Sequence, residues 1–114
     1  FTRFFISELY HKMKITLTTS IKSPTFPIMI NYDLVKYEIF HYDFFRLKNN
    51  IELKELEVFE NFSNNISIIE WPEILLETNS VQNYYLIKLK LENINIRRIE
   101  ISHSNKSFSL NIND

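Results

Sequence analysis

Apolar residues recur at helical spacing in two stretches of the chain. The first stripe consists of Phe1, Phe5, Leu9 and Met13, with Phe4 beside them. The second consists of Leu53, Leu56, Phe59 and Phe62. An α-helix brings residues at this spacing onto one side, and charged residues occupy the positions between them. Each stripe therefore predicts an amphipathic helix whose apolar side packs against a core.

Between these helices lie runs of β-prone residues. Residues 28–32 and 37–42 flank Asp33, and this arrangement predicts two strands joined by a hairpin turn. Pro24 and Pro27 exclude a helix immediately before the first strand. The segment 15–19 fits either a short strand or a connecting loop.

A short apolar run follows the second helix. Ile66, Ile68 and Ile69 stand between a pair of asparagines and Pro72, which is typical of a buried strand, although so short a run is ambiguous by itself. Pro72 is suited to the first turn of a helix, so we expect a short helix from there through Leu76.

The C-terminal third alternates strictly between apolar and polar residues. Ile87, Leu89 and Leu91 alternate with charged residues, which predicts a half-buried strand. Two further strands are marked by Ile99 and Ile101, and by Phe108, Leu110 and Ile112. Short turns between them, the first at residues 93–95, imply antiparallel pairing. With the helices upstream, the chain is predicted to be an α/β domain with a mixed sheet and antiparallel C-terminal strands.

Composition limits the possible functions. The 114 residues fit one domain over 1–114, and 45% hydrophobic content supports a packed core. A net charge of −1 gives no basic face for direct contact with nucleic acid. The absence of cysteine excludes disulfides and Cys-ligated zinc. No apolar run approaches the roughly 20 residues of a membrane span, so we expect no membrane association.

One acidic residue stands where an α/β sheet binds ligands. Glu70 ends the apolar run 66–69, and the crevice beyond the carboxyl ends of strands is the usual ligand site in open α/β sheets. A carboxylate there suits Mg²⁺, which prefers oxygen ligands. The alternative is a solvated acid at the start of the following helix.

A second constellation is formed by His41, Asp43 and Arg46. On a strand, His41 and Asp43 share one face, which suits a hydrogen-bonded pair that holds metal-bound water. Arg46 would then meet a phosphate or an acidic group of a partner. An isolated His-x-Asp is more often structural, and the residues alone leave both alternatives open.

Three motifs in a fixed order resemble one family. They are Ser23-Pro24-Thr25-Phe26, then His41-Tyr42-Asp43-Phe44-Phe45-Arg46, then Ile69-Glu70-Trp71-Pro72-Glu73. This order resembles the TsaE (YjeE) family, P-loop ATPases whose pattern is a Walker A loop, SPTF, H-x-D-x-Y-R and a strand ending in E-W. The chain departs from it at Phe45, where the family has tyrosine, so a hydrogen bond from that hydroxyl is lost.

The resemblance implies a function and a site. It implies a Mg²⁺-dependent ATPase that acts in the cytoplasm with the TsaB and TsaD proteins to form N6-threonylcarbamoyladenosine in tRNA, and that meets tRNA only through the complex. ATP and Mg²⁺ would be its cofactors, with Glu70 as the metal ligand. The implied catalytic residues are Glu70, Asp43 and Thr25, and the implied cofactor-binding residues are Trp71, Arg46 and His41.

The chain contains no glycine, whereas a domain of this length has about eight on average. A Walker A loop needs glycine, because its backbone adopts positive φ and closely approaches the phosphates. We therefore expect a fragment of a P-loop NTPase-like fold that lacks the first strand and the P-loop, and is inactive and poorly soluble or partly folded alone. The alternative is a non-catalytic interaction module derived from the same family.

Overall fold

A computed structural model describes residues 1–24, 28–105 and 109–113. Their contacts divide the chain into two compact units, Phe1–Glu77 and Thr78–Asp114. The first unit contains helices and a mixed sheet, and the second contains an antiparallel sheet. The predicted α/β class with antiparallel C-terminal strands is confirmed.

The first unit is built on a three-stranded sheet. Its elements are α1 (Thr2–Lys12), β1 (Met29–Asp33), β2 (Glu38–Asp43), α2 (Ile51–Glu55), a 3₁₀ turn (Glu60–Phe62), β3 (Ile66–Glu70) and α3 (Glu73–Leu76). The sheet order is β1-β2-β3, with β1 antiparallel and β3 parallel to β2. The central strand β2 buries its four inner residues, 39–42.

One face of the sheet packs on α1. Ile6 and Tyr10 of the helix form a buried cluster with Tyr32, Leu34 and Ile39. The Tyr10 hydroxyl donates to the Asp33 carbonyl at 2.7 Å, which ties the helix to the end of β1. This cluster holds α1 over the strands that carry His41 and Glu70.

The opposite face of β2 is aromatic. Phe40, Tyr42 and Phe44 follow one another along this face, with ring centroids 6.4 Å and then 5.4 Å apart. Tyr42 is fully buried, and its hydroxyl accepts a hydrogen bond from the Asn61 side-chain amide at 2.9 Å. Burial raises the pKa of Tyr42, so the phenol stays protonated and fixes the 3₁₀ turn against the strand.

Helix α1 exists as predicted, but it buries a different side. Its buried residues are Thr2, Ile6 and Tyr10. Phe1 and Phe5 of the expected stripe are 55% and 40% exposed, whereas Leu9 and Met13 are partly buried against the core cluster. Helix positions 2, 6 and 10 have the same spacing as 1, 5 and 9, so periodicity predicts the helix without deciding which side faces the sheet.

The second predicted helix is interrupted. Helix α2 covers only Ile51–Glu55, and the chain then turns before the 3₁₀ segment. Glu57 has φ of 54°, a left-handed conformation that cannot continue a right-handed helix. The buried residues of this stretch are Leu53 and Val58, so the stripe 53, 56, 59, 62 was wrong beyond its first turn.

The other local predictions have mixed outcomes. The hairpin turn is confirmed, and the Asp33 side chain accepts a hydrogen bond from the Val35 amide at 2.7 Å. Strand β3 is half-buried rather than fully buried, and Pro72 immediately precedes α3 instead of lying within its first turn. The segment 15–19 forms no strand.

The second unit is an antiparallel meander. Its strands are β4 (Tyr85–Asn93), β5 (Ile96–His103) and β6 (Ser109–Asn113), in the order β4-β5-β6. In the pairing register, Ile87 stands opposite Ile101 and Leu89 opposite Ile99, which makes one face apolar. The other face carries the Lys90–Glu100 ion pair, with N and O 3.1 Å apart.

The expected half-burial of β4 is only partly correct. Ile87 is partly covered, but Leu89 is 61% exposed and Leu91 is 70% exposed. Arg98 forms an ion pair with Glu92. Across the described parts of both units, no helix combines the length and the hydropathy of a membrane span.

Candidate functional site

The parallel pair β2–β3 brings two carboxylates to one edge of the sheet. Asp43 and Glu70 are the last residues of their strands and are direct register partners. Because the strands run in the same direction, both acids lie at their carboxyl ends, where α/β sheets bind ligands. His41 lies two residues before Asp43, opposite Ile68, on the face that α1 covers.

Each oxygen of the Glu70 carboxylate has its own neighbour. Oε1 accepts a hydrogen bond from the Thr2 hydroxyl at 3.3 Å, and Oε2 lies 3.5 Å from His41 Nε2. Thr2 belongs to α1, so this contact joins the helix to the end of β3. The Glu70 side chain remains 38% exposed and is accessible to a ligand.

The backbone around Glu70 is held as well. Its carbonyl accepts a hydrogen bond from the Phe44 amide at 3.0 Å, which extends the β2–β3 contact by one residue. The next residue, Trp71, has φ of 56°. A left-handed conformation costs a bulky residue about 1–3 kcal/mol, and such strain is concentrated at functional sites. The chain therefore turns sharply directly after the carboxylate.

His41 is buried, and only 1% of the residue is exposed to solvent. Its Nδ1 has no hydrogen-bond partner among the described residues, and its Nε2 makes only the long contact with Glu70. Leaving a buried polar group unpaired costs about 1–3 kcal/mol. Burial lowers the pKa of His41 below its usual value, and the negative charges of Glu70 and Asp43 oppose this only in part. Burial therefore favours the neutral form of the imidazole.

Asp43 uses one oxygen locally. Its Oδ1 accepts the Phe45 amide at 3.0 Å, which fixes the first turn after β2. The expected hydrogen bond between His41 and Asp43 is absent from the described contacts, although the two side chains share a face. The correction has a simple cause: the parallel neighbour β3 brings Glu70 to His41, and Asp43 turns toward its own loop.

Two exposed aromatic residues lie beside the carboxylates. The Phe45 and Trp71 rings are 5.0 Å apart between centroids, and they are 68% and 56% exposed as whole residues. They border an open depression of about 280 Å³, whose other lining residues include Phe44, Leu47, Lys48 and Ile74. The position that lacks the family's tyrosine hydroxyl therefore packs on Trp71 in this chain.

The two remaining predicted site residues have different outcomes. Arg46 is exposed at the turn after β2, three residues beyond Asp43. Thr25 lies outside the described residues. Its flanks are nevertheless connected to the site, since the Ile28 amide donates to the Pro24 carbonyl at 2.9 Å and the Asp43 amide donates to the Ile28 carbonyl at 2.8 Å.

Thr2 is a site residue that sequence reasoning missed. A threonine at the start of a helix is common, and no motif includes it. His11 and His103 join no group of three or more acids or histidines that could hold a metal in the described part of the chain.

Comparison with known proteins supports the interpretation of the motifs. The family model "Threonylcarbamoyl adenosine biosynthesis protein TsaE" matches residues 2–101. Proteins named "tRNA threonylcarbamoyladenosine biosynthesis protein TsaE" are similar over 57 residues, half of this chain. The Rickettsia conorii and Rickettsia bellii proteins are each 44% identical there, and the Rickettsia prowazekii protein is 42% identical. The matched segment covers 33%, 40% and 40% of these relatives, respectively.

Proposed function

The chain belongs to the TsaE family, and from this premise we propose that it supports the formation of N6-threonylcarbamoyladenosine in tRNA through a Mg²⁺-dependent cycle of ATP hydrolysis. The observation that carries the proposal is the pair of carboxylates, Asp43 and Glu70, at adjacent ends of two parallel strands. This is the position of the metal-binding acid in P-loop ATPases, which hold Mg²⁺ with a strand-end carboxylate, a loop hydroxyl and the substrate phosphates.

The donor set fits Mg²⁺ on the condition that phosphate groups supply part of the coordination. No group of three or more acids or histidines that could hold a metal is present in residues 1–24 and 28–105. Mg²⁺ does not need such a cage, because it keeps several waters and is held by one or two carboxylates together with phosphates. Glu70 is the proposed ligand, and Asp43 would hold a water of the metal. When bound, the ion would neutralise charge that develops on the phosphates.

The phosphates need a second set of groups. The 114 residues contain no glycine, so they do not themselves form a Walker A loop. In the proposed cycle, residues outside this sequence cradle the phosphates, and this chain supplies the acids, Arg46 for phosphate charge and Thr25 for metal or water. His41 and Trp71 complete the proposed cofactor-binding surface.

The proposed partners are TsaB and TsaD, which carry out the modification that the ATPase supports. A net charge of −1 is consistent with a protein that meets tRNA only through this complex. Because the activity supports the modification of tRNA, we propose that it takes place in the cytoplasm. The exposed pair Phe45 and Trp71 provides the kind of aromatic surface that is enriched at protein interfaces.

A second function is favoured by the same exposed aromatics and by the missing glycine. In this alternative, the chain is a non-catalytic interaction module that retains partner surfaces without hydrolysing ATP. The two functions differ in their dependence on Glu70, because a docking surface formed by Phe45 and Trp71 does not require a carboxylate at the strand end.

The test is rescue of tRNA modification. In a bacterium depleted of its own TsaE, the full-length protein should restore t6A, measured by mass spectrometry of nucleosides from digested tRNA. Glu70→Gln should fail to restore it, and Glu55→Gln, an exposed acid on α2, should restore it fully. Rescue by Glu70→Gln would favour the interaction module, and absence of rescue by the wild type would reject both functions.

A further inference from the structure

His41 occupies a position where an apolar residue would be expected. It lies in the central strand, 1% exposed, on the face that carries Ile39 and that α1 covers. Its Nδ1 contacts no hydrogen-bond partner among the described residues. A polar ring is unfavourable at such a site unless it interacts with something that an apolar side chain cannot. Its one charged contact is the Glu70 carboxylate, with Nε2 and Oε2 3.5 Å apart.

Thr2 makes the complementary contact. Its hydroxyl donates to Glu70 Oε1 at 3.3 Å, while His41 faces Oε2. Thr2 itself is 8% exposed, so both neighbours of the carboxylate are largely removed from solvent. Contacts to both oxygens, from α1 on one side and β2 on the other, define the plane of the carboxylate. A single contact would leave the carboxylate free to rotate.

The backbone of Glu70 is already fixed on both sides. The Phe44 amide binds its carbonyl at 3.0 Å, and Trp71 turns the chain away with φ of 56°. The remaining freedom belongs to the side-chain torsions of Glu70. His41 and Thr2 restrict these torsions, because they contact the terminal oxygens of the carboxylate.

A neutral neighbour suits a metal-binding carboxylate. An imidazole in its neutral form can donate one hydrogen bond without cancelling the charge of the acceptor, and His41 Nε2 lies 3.5 Å from Glu70 Oε2. A lysine or arginine at this position would form a full ion pair and compete with a cation for the carboxylate. The geometry therefore holds Glu70 in place while its negative charge remains available to a ligand.

We propose that His41 and Thr2 are positioning residues that together fix the orientation of the Glu70 carboxylate toward a divalent cation. The proposal rests on the proposed function, in which Glu70 is a metal ligand. A hydrogen bond across the 3.5 Å contact between Nε2 and Oε2 would require the His41 tautomer with its proton on Nε2. In this arrangement each residue acts through Glu70, so the cofactor-binding role proposed for His41 is an indirect one.

The first test is the affinity of Mn²⁺ with ATP for the full-length protein, measured by the electron paramagnetic resonance of free Mn²⁺. Loss of a group that orients a metal ligand typically weakens affinity about 10- to 100-fold. We expect His41→Leu and Thr2→Val to weaken Mn²⁺ binding by at least about tenfold. His41→Gln, which places an amide donor near the Nε2 position, and Thr2→Ser, which keeps the hydroxyl, should restore most of the affinity. Equal binding by His41→Leu and His41→Gln would overturn the proposal.

Glu70→Gln separates this proposal from the proposed function. If Glu70→Gln weakens Mn²⁺ binding and His41→Leu and Thr2→Val do not, the positioning role fails and the metal role of Glu70 stands. If Glu70→Gln has no effect, both fail, whatever the other variants do. Should His41→Leu not fold, the nitrogen spectrum of the wild-type imidazole decides the matter. A proton on Nε2 agrees with the proposal, and a proton on Nδ1 alone overturns it.

Discussion

Asp43 and Glu70 stand opposite each other as the terminal residues of two parallel strands, and only Glu70 is contacted from both sides, by Thr2 and His41. Asp43 instead binds the amide of its own turn. Neighbouring side chains therefore restrict the orientation of the Glu70 carboxylate more than that of Asp43, although both acids lie at the same edge of the sheet. This difference makes Glu70 the stronger candidate for direct metal binding.

Removing the charge of Glu70 should abolish ATP hydrolysis in the full-length protein. We expect Glu70→Gln to lower kcat by about 100-fold or more, since loss of one electrostatic group in an active site has effects of that size. The fold should be largely unaffected, because the side chain is 38% exposed. Phosphate release and thermal unfolding measure the two effects. Unchanged turnover would remove Glu70 from the mechanism, and Glu55→Gln is the control.

The packing of α1 can be tested with two substitutions on one helix. Ile6 is 0% exposed and Phe4 is 70% exposed. Ile6→Ala should lower the free energy of unfolding by about 2–5 kcal/mol, as for other buried large-to-small changes. Phe4→Ala should change it by less than about 1 kcal/mol despite removing more atoms. Urea denaturation measures both, and the reverse order would support the stripe that the sequence predicted.

The hydroxyl of Tyr42 should contribute to stability through Asn61. Tyr42→Phe removes the acceptor of a 2.9 Å hydrogen bond at a fully buried position and leaves the amide unpaired. A loss of about 1–3 kcal/mol in the free energy of unfolding is expected. Tyr85→Phe, at a position 64% exposed, is the matched control and should change the free energy by less than about 0.5 kcal/mol. Equal effects would argue against the buried hydrogen bond.

Stability should fall in mild acid because of His41. Its folded-state pKa is lower than the usual 6.5, so the unfolded chain binds a proton first as the pH decreases. The contribution of His41 to the free energy of unfolding is therefore constant above about pH 7. It decreases as the pH falls through about 6.5. Glu70 and Asp43 face the ring and oppose the effect without reversing it.

The pH effect is measured by urea denaturation of the wild type and His41→Gln between about pH 8 and pH 5.5. As the pH decreases, the free energy of unfolding of the wild type should fall relative to that of His41→Gln. A constant difference would show that His41 does not contribute to the pH dependence.

The 114-residue chain expressed alone should associate through its C-terminal sheet. Leu89, Leu91 and Ile94 are 61%, 70% and 93% exposed, and β4 is an edge strand. Exposed apolar edge strands favour aggregation. Leu89→Thr with Leu91→Thr should increase the monomeric fraction in light scattering, and Lys88→Thr with Lys90→Thr should not. A monodisperse wild-type monomer with a sharp thermal transition would contradict this prediction.

The sequence by itself determined the local elements and the family. Asp33 marks the hairpin turn and Glu70 ends a strand because these features depend on residues that are adjacent in the chain. The three motifs predicted the TsaE family, which the family model matches over residues 2–101.

Only the tertiary structure decided which side of α1 is buried, where the second helix ends and what contacts Glu70. Periodicity allows either of two neighbouring stripes on α1, and packing on β1 and β2 selects the one with Ile6 and Tyr10. His41 meets Glu70 because β2 and β3 are parallel, and Thr2 meets Glu70 because the same packing places the start of α1 at the strand ends. These contacts join residues that are far apart in sequence, so local patterns contain no signal for them.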